Sequence, residues 1–239
     1  KTNQNEVFNG LKQFVDQHQD WVFGYLGYDL KNEVELSLSS SNKDELEFPT
    51  FHFFVPEIVA ELSPDFTKLH FHKNEEKERF LSLTDEKSFK NDTNHLKIEF
   101  SQRVSKEEYL ANFDKIKHHI QQGNIYEMNY CHEFFSEDVD LNSFETYQKL
   151  NALTKAQFSA FYKNGNKFIL SGSPERYLKK EGSKITSQPI KGTAKRGQTE
   201  QEDEQLIFEL SRNEKERSEN IMIVDLVRND LSKTAKKSS

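Results

Sequence analysis

The segment from Phe158 to Ile190 constrains the fold of this chain more than any other. It reads as three consecutive strands, with short glycine-bearing turns at Asn164-Gly165 and Glu181-Gly182. Links of this length and composition join neighbouring antiparallel strands. We therefore predict an antiparallel meander in this part of the chain.

Apolar spacing and turn signals predict the remaining elements. Ser105 stands three residues before Glu108, a spacing that predicts a capping box at a helix start, and Gly123 would end that helix. Two polar stretches, 38–47 and 73–94, predict loops or solvated helix faces. The apolar face of the last helix is broader than a surface helix needs, which predicts a well-buried helix. The predicted helices cover 5–17, 105–120, 143–153 and 200–231, and the other strands lie within 21–30, 51–62, 69–72 and 125–135.

The composition limits how large a core the chain can build. The chain has 239 residues, enough for one large domain or two ordinary ones. Only 34% of its residues are apolar and 31% are charged, which indicates a highly solvated surface. Its 20 Phe and 8 Tyr residues predict that aromatic side chains supply much of the core.

The charge balance and the cysteine count exclude several classes of protein. A net charge of -7 disfavours a nucleic-acid partner, because such binding depends on clustered Lys and Arg. A single cysteine, Cys131, allows neither an internal disulfide nor a zinc knuckle and fits a reducing compartment. The apolar runs are too short to span a bilayer, and Lys1 opens no signal-peptide pattern. We expect a cytoplasmic protein without a membrane partner.

An acid and an amine meet at the end of the predicted second hairpin. A two-residue turn there makes Glu175 face Gln188, with Lys191 roughly 10 Å further along at strand rise. A regular pleat would point Lys191 and Glu175 to opposite faces. A shared site therefore requires a bulge or a strand end, which Pro189 and Gly192 permit. The alternative is an exposed acid and amine without a joint role.

Two carboxylates on the last helix have the spacing of a cation site. Glu216 and Glu219 stand three residues apart, so both project from one helix face toward a hard cation such as Mg²⁺. Surface ion pairs with Lys215 and Arg217 are the alternative.

Four blocks in order, together with an N-terminal segment, carry a family resemblance. The blocks read GNIYEMNYCHEF, SPERYLKK, PIKGTAKRG and KERSENIMIVDLVRNDL, and the segment reads WVFGYLGYD. They resemble the signature blocks of the chorismate-binding family, which includes anthranilate, aminodeoxychorismate, isochorismate and salicylate synthases. The resemblance implies an α+β fold of four layers, α/β/β/α, with two packed antiparallel sheets and a magnesium-dependent site. It also implies an N-terminal region over 1–100 and the first part of the catalytic domain over 101–239.

The third residue of the PIKGT block distinguishes the branches of that family. Lys191 occupies it here, as in aminodeoxychorismate synthases, whereas the other branches generally have Ala. The resemblance implies that chorismate and ammonia give 4-amino-4-deoxychorismate for 4-aminobenzoate and folate synthesis, with ammonia from a glutamine amidotransferase subunit. Lys191 would attack C2 of chorismate. Because its reference pKa is ~10.4, we expect burial, Lys195, Arg196 or the metal to lower it.

The resemblance also assigns roles to residues around Lys191. Glu175 resembles the general acid that lets the 4-hydroxyl leave as water. The other implied substrate contacts, including pocket lining, are Gly192, Thr193, Met222 and Ile223.

The charged residues of the implied site include one departure from the family pattern. Glu219, supported by Glu216, resembles a magnesium ligand that holds the C1 carboxylate of chorismate. Glu127 falls where amine-transferring members usually have Gln and hydroxylating members have a Lys base. A carboxylate beside an anionic substrate is unexpected unless it pairs with a cation.

The end of the family pattern is the larger departure. Members continue after the RNDL block with a histidine-bearing segment, a glycine-rich block and a second metal-binding glutamate, and none of these precedes Ser239. We therefore expect these residues to represent part of the enzyme and to be inactive alone. Two alternatives stay open: anthranilate synthase component I, and a non-catalytic fragment or regulatory binding module.

Overall fold

The computed structural model describes residues 6–35, 37–63, 65, 68–72, 74–84 and 98–236. The chain divides into two compact units, Lys1–Asp92 and Thr93–Ser239. The sequence-based division into 1–100 and 101–239 stays a prediction about domains.

The first unit contains short helices and two antiparallel strand pairs. Strand β1 (Phe23–Leu26) pairs antiparallel with β2 (Phe51–Phe54), and β3 (Ala60–Leu62) pairs antiparallel with β4 (Leu69–Phe71). The predicted helix over 5–17 and the strands within 21–30, 51–62 and 69–72 are confirmed, although β1 stops where a 3-10 turn, Tyr28–Leu30, begins. Part of the polar stretch 73–94 is helix α3 (Asn74–Thr84), and its positions 73 and 85–94 lie outside the described residues. The elements are α1 Glu6–His18, β1 Phe23–Leu26, α2 Lys31–Val34, β2 Phe51–Phe54, β3 Ala60–Leu62, β4 Leu69–Phe71 and α3 Asn74–Thr84.

The buried core of this unit is small and, among the described residues, aliphatic. Leu30 and Val59 are its buried apolar side chains among the described residues. The carboxylate of Glu76, also buried, accepts a hydrogen bond from the Val59 backbone N–H at 3.3 Å. The indole of Trp21 stays 45% exposed and contacts the His72 ring at 4.6 Å between centroids. The predicted aromatic core is thus replaced by half-exposed ring pairs.

The second unit carries the longer elements. Its strands form three antiparallel pairs: β5 (Ser101–Gln102) with β6 (Phe134–Phe135), β7 (Phe158–Asn164) with β8 (Lys167–Ser173), and β9 (Arg176–Glu181) with β10 (Lys184–Gln188). Helices alternate with these sheets, so the predicted α+β class is confirmed. The elements are β5 Ser101–Gln102, α4 Lys106–Gln121, β6 Phe134–Phe135, α5 Ser143–Thr154, β7 Phe158–Asn164, β8 Lys167–Ser173, β9 Arg176–Glu181, β10 Lys184–Gln188, α6 Glu200–Arg212 and α7 Glu214–Ser232.

Side-chain caps set the helix boundaries of this unit. The Ser105 hydroxyl accepts a hydrogen bond from the Glu108 N–H at 3.1 Å, which confirms the predicted start of α4. After that helix, Gly123 adopts a φ of +74°, as a helix-ending glycine does.

The predicted helix over 200–231 is two helices. Asn213 has an extended backbone, and its side chain accepts a hydrogen bond from Glu216 N–H, so one helix ends there and α7 begins. The prediction of deep burial is wrong. Ile221 is 62% exposed and Val224 is 48% exposed, because the described elements cover only part of the broad apolar face.

The predicted meander is two separate hairpins. Strands β8 and β9 are not paired with each other in the described sheets. Pro174 lacks an N–H, and the Ser173 hydroxyl satisfies the Glu175 N–H instead at 3.3 Å, so the chain leaves one sheet before entering the next. Both turns lie one residue later than predicted, since Asn164 pairs with Lys167 and Glu181 pairs with Lys184.

The predicted strand over 125–135 is mostly absent. Only its last two residues form a strand, β6, because β5 offers a partner of two residues in this part of the described chain. The preceding segment, 124–129, lines a cavity instead. Across the described residues, no helix is long and apolar enough to cross a bilayer.

Candidate active site

The loop between β10 and α6 places Lys191 beside Glu127. The Lys191 ammonium donates a hydrogen bond to Glu127 Oε1 at 2.9 Å, although the two residues are 64 positions apart. Both side chains are about three-quarters buried, with 28% and 25% of their surfaces exposed. The pair therefore joins the segment before β6 to the loop that carries the amine.

Glu175 lies at the same end of the second hairpin. Its Oε1 accepts a hydrogen bond from the Ile190 backbone N–H at 3.0 Å, one residue before Lys191. The strand register shifts between Thr186 and Gln188, and β10 ends at Gln188. Both conditions for a shared face, a bulge and a strand end, are therefore present, and the charge of Glu175 acts on Lys191.

Gly192 allows the first turn of α7 to pack closely against the loop that carries Lys191. Its φ is +83°, and a Cβ added there would lie 2.7 Å from Glu216 Oε2. Only glycine accepts both this left-handed backbone and this close approach without strain. The Glu216 N–H is in turn held by the Asn213 side chain at 3.1 Å, which fixes the start of α7.

Glu219 is the second acidic residue that α7 contributes. Its charge acts on Lys191, and its Oε1 also lies 3.7 Å from the Lys215 ammonium. Glu219 thus forms the predicted surface ion pair with Lys215, and its charge also acts on Lys191.

Carboxylates dominate the electrostatics of Lys191. The hydrogen bond that Lys191 donates to Glu127, opposed by burial and reinforced by the charges of Glu127, Glu175 and Glu219, raises the pKa of the Lys191 amine. The expected depression of this pKa is wrong for the structure described here. One expected cation, Arg196, is bound instead by Asp203.

Glu127 meets the condition that the sequence set for it. Its Oε1 pairs with a cation, Lys191, while its Oε2 is buried and has no hydrogen-bond partner. Glu127 lines a cavity of about 330 Å³. The other lining residues are Asn124, Ile125, Tyr126, Met128, Asn129, Ile223 and Leu226.

The other residues predicted to contact a substrate do not all lie beside Glu127. Ile223 lines the cavity beside Glu127, whereas Met222 is half-buried and lies outside that lining. Thr193 is exposed on the loop. Their roles toward a substrate stay predictions.

The attachment of the loop to α6 was not predicted. Arg196 donates to both carboxylate oxygens of Asp203, and the Gly197 N–H donates to Asp203 Oδ1 at 2.7 Å. The Thr199 hydroxyl accepts from Glu202 N–H at 3.2 Å, and the Glu202 carboxylate accepts from Gln198 N–H. The Thr-x-x-Glu spacing is the capping-box signal that could have located this attachment.

The acidic residues of α7 are of a type that binds hard cations. Glu216 and Glu219 offer carboxylate oxygens, and Mg²⁺ is commonly held by one or two carboxylates together with water and substrate oxygens. Within the described residues, no group of three His, Cys, Asp or Glu side chains could hold a metal ion. The protein's own donors are therefore two carboxylates at most in this part of the chain.

The fold has a solved counterpart. The crystal structure of anthranilate synthase component I from Streptococcus pneumoniae TIGR4 matches with a TM-score of 0.71 at 24% identity, over 89% of this chain and 49% of that one. The architecture is therefore that of anthranilate synthase component I, as the sequence predicted.

Sequence comparisons extend this likeness to a family. The family model described as chorismate binding enzyme matches residues 2–239. An anthranilate synthase component I-like protein of Synechocystis sp. is 32% identical, over 93% of this chain and 46% of the relative. Aminodeoxychorismate synthase component 1 of Bacillus subtilis is 28% identical, over 99% of this chain and 52% of the relative. The chain belongs to the chorismate-binding enzyme family, and it spans about half the length of these relatives.

Proposed function

We propose that this chain is the nucleophile-bearing part of an aminodeoxychorismate synthase component I. The observation that supports this most is the position of Lys191, whose amine is held by Glu127 with Glu175 and Glu219 acting on its charge. The block containing this lysine is the one that distinguishes the aminodeoxychorismate branch. The substrates would be chorismate and ammonia, with ammonia supplied by a glutamine amidotransferase subunit.

In the proposed reaction Lys191 forms a transient bond to the substrate. The neutral amine attacks C2 of chorismate, and the 4-hydroxyl leaves as water with a proton from Glu175. Ammonia then attacks C4, and the bond between C2 and the Lys191 nitrogen breaks, which releases 4-amino-4-deoxychorismate and free lysine. Glu175 suits the acid role because its carboxylate is tied to Ile190 N–H, next to the nucleophile.

The resting ion pair sets a requirement on this reaction. A charged amine has no free electron pair, so Lys191 must lose its proton and leave Glu127 before it attacks. The raised pKa of Lys191 makes this loss costly in the structure described here. We infer that substrate and metal binding change the charge around the lysine.

Magnesium would bind next to this pair. Glu216 and Glu219 would hold it, and the bound ion would neutralise a carboxylate of chorismate. Glu216 touches the Gly192 position, so the loop and the proposed metal ligands adjust together.

Anthranilate synthesis is the second candidate. It is favoured by the names of the Synechocystis relative and of the matched crystal structure. Lys191 argues against it, since that branch generally has Ala at the position.

The compound that the full-length protein forms from chorismate decides between these two candidate functions. Incubation with chorismate, ammonium and Mg²⁺ should give an aminated product that keeps the enolpyruvyl group, identified by mass. Anthranilate as the product would assign the second candidate instead. Absence of turnover would favour the non-catalytic alternative.

A further inference from the structure

The loop that carries Lys191 covers residues 189–199, between β10 and α6, and belongs to neither element. Its first end is anchored where Glu175 accepts a hydrogen bond from the Ile190 backbone N–H at 3.0 Å. Because a loose backbone gains conformational entropy, a side chain on a loop keeps its position only where the chain is held on both sides. The position of Lys191 therefore depends on the anchor at the other end of the loop.

Asp203, in the first turn of α6, forms that second anchor. Its carboxylate accepts hydrogen bonds from Arg196 Nε at 2.8 Å, from Arg196 Nη2 at 2.6 Å and from the Gly197 backbone N–H at 2.7 Å. The Asp203 side chain is 16% exposed. Arg196 and the Gly197 N–H hold the pKa of the Asp203 carboxyl below its ordinary value, so the carboxylate stays charged at neutral pH.

This anchor differs from an ordinary surface ion pair. Single contacts between exposed charges contribute little, whereas a guanidinium that donates to both oxygens of a carboxylate is strongly oriented. Gly197 also packs closely on α6, because a Cβ added there would lie 2.3 Å from the Asp203 backbone N. The next contact toward the helix, from the Gln198 N–H to the Glu202 carboxylate at 2.7 Å, lies further from the lysine.

We propose that Asp203 is a positioning residue for Lys191, and that it acts by holding the loop through Arg196 and Gly197. This inference rests on the proposed function, in which Lys191 is the nucleophile. The anchor keeps the resting amine beside Glu127, at 2.9 Å. Without the anchor, the amine would spread over many positions, and few of these would suit attack on a bound substrate.

The first measurement follows the amine itself and does not depend on the reaction. In Asp203→Asn the side chain keeps an oxygen for the Gly197 N–H but loses the charge that holds Arg196. Competitive acetylation of the complete gene product across pH should show a Lys191 labelling midpoint that is lower by roughly half a pH unit or more, because contact with Glu127 is made less often. Arg196→Gln should give the same fall, and the double variant should add nothing, since both changes remove one contact.

The second measurement follows turnover of chorismate with ammonium and Mg²⁺. In Asp203→Asn the kcat should fall roughly tenfold or more, because a small displacement of a reacting group is costly. The KM for chorismate should stay within twofold of the wild type, since the proposed metal ligands on α7 are unchanged.

Gly197→Ala tests the same anchor without removing a charge. Its Cβ would meet the Asp203 backbone, so this variant should reproduce the fall in the Lys191 midpoint. Glu133→Gln is the matched control, because it removes a carboxylate from the pair with Arg103 at 3.0 Å, outside the loop. The control should change neither the midpoint nor kcat. Urea unfolding of each variant separates loss of the fold from loosening of the loop.

Several results would overturn the inference. An unchanged Lys191 midpoint in folded Asp203→Asn and Arg196→Gln would do so, whatever reaction the protein catalyses. An equal fall in Glu133→Gln would do so as well. A lower kcat with an unchanged midpoint would assign Asp203 to the stability of α6 alone. The identity of the product tests the proposed function separately: anthranilate would refute that function, while the midpoint still tests the anchor.

Discussion

At the scale of single residues, the site depends on a contact that local patterns did not contain. The ion pair between Lys191 and Glu127 joins positions 64 apart, so no helical or strand period could reveal it. The sequence did identify both residues and set a condition on Glu127, a paired cation, which the structure meets. It misjudged the pKa of Lys191, because the direction depends on which charges the fold brings near.

Removing the Glu127 charge should change the titration of Lys191. Glu127→Gln deletes the largest cause of the raised pKa, so the midpoint for amine labelling should fall toward the ordinary value of ~10.4. Competitive acetylation across pH, followed by mass analysis of the Lys191 peptide, measures this. Glu133→Gln serves as the control, because the Glu133 carboxylate pairs with Arg103 at 3.0 Å instead. An unchanged midpoint in Glu127→Gln would show that the hydrogen bond does not govern the amine.

Glu175 can be tested through its proton. Glu175→Gln keeps the side-chain shape and a carbonyl oxygen for Ile190 N–H, but it cannot donate the proton that the leaving hydroxyl of the proposed reaction needs. Turnover by the complete gene product should fall by roughly 100-fold or more, with folding unaffected. A near-normal rate would assign Glu175 to holding the loop alone.

At the scale of elements, sequence patterns located helices and strands better than they located their partners. Ser105 and Glu108 marked the start of α4 because a cap is a contact between neighbours in the chain. The pairing of β8 with β9 was predicted and is not made, since Pro174 and Ser173 divert the chain between the hairpins. The Asn213 cap similarly divided a predicted single helix.

Gly192 is the element-scale test of how the loop meets α7. Gly192→Ala places a Cβ on a left-handed residue and against Glu216, so it should lower the unfolding free energy by about 1–3 kcal/mol and displace a proposed metal ligand. Gly165→Ala is matched, because Gly165 also has positive φ but nothing lies within 4 Å of its added Cβ.

The comparison uses urea unfolding and the half-saturating Mg²⁺ concentration of the complete gene product. Both variants should lose stability, and only Gly192→Ala should need more Mg²⁺. Equal Mg²⁺ requirements in the two variants would separate the loop from the proposed metal ligands.

At the scale of the whole molecule, the fold class was easier to predict from the sequence than the burial of the last helix. The α+β class and the likeness to anthranilate synthase component I follow from ordered blocks along the chain, and the solved counterpart supports both. Burial of the last helix was predicted from its apolar width, yet Ile221 remains 62% exposed. The width of an apolar face indicates how much surface a helix can bury. Whether that surface is buried depends on elements from distant parts of the sequence, which the pattern of one helix does not contain.

The covalent role of Lys191 is the central claim, and trapping the adduct tests it most directly. In the complete gene product given chorismate and Mg²⁺ without ammonia, intact-mass analysis should show a gain of chorismate minus water, mapped by digestion to the peptide with Lys191. Lys191→Ala should abolish the gain. Lys191→Arg should abolish activity as well, because it keeps the charge without a nucleophilic amine. No adduct in the wild type, together with an active Lys191→Arg variant, would contradict the account.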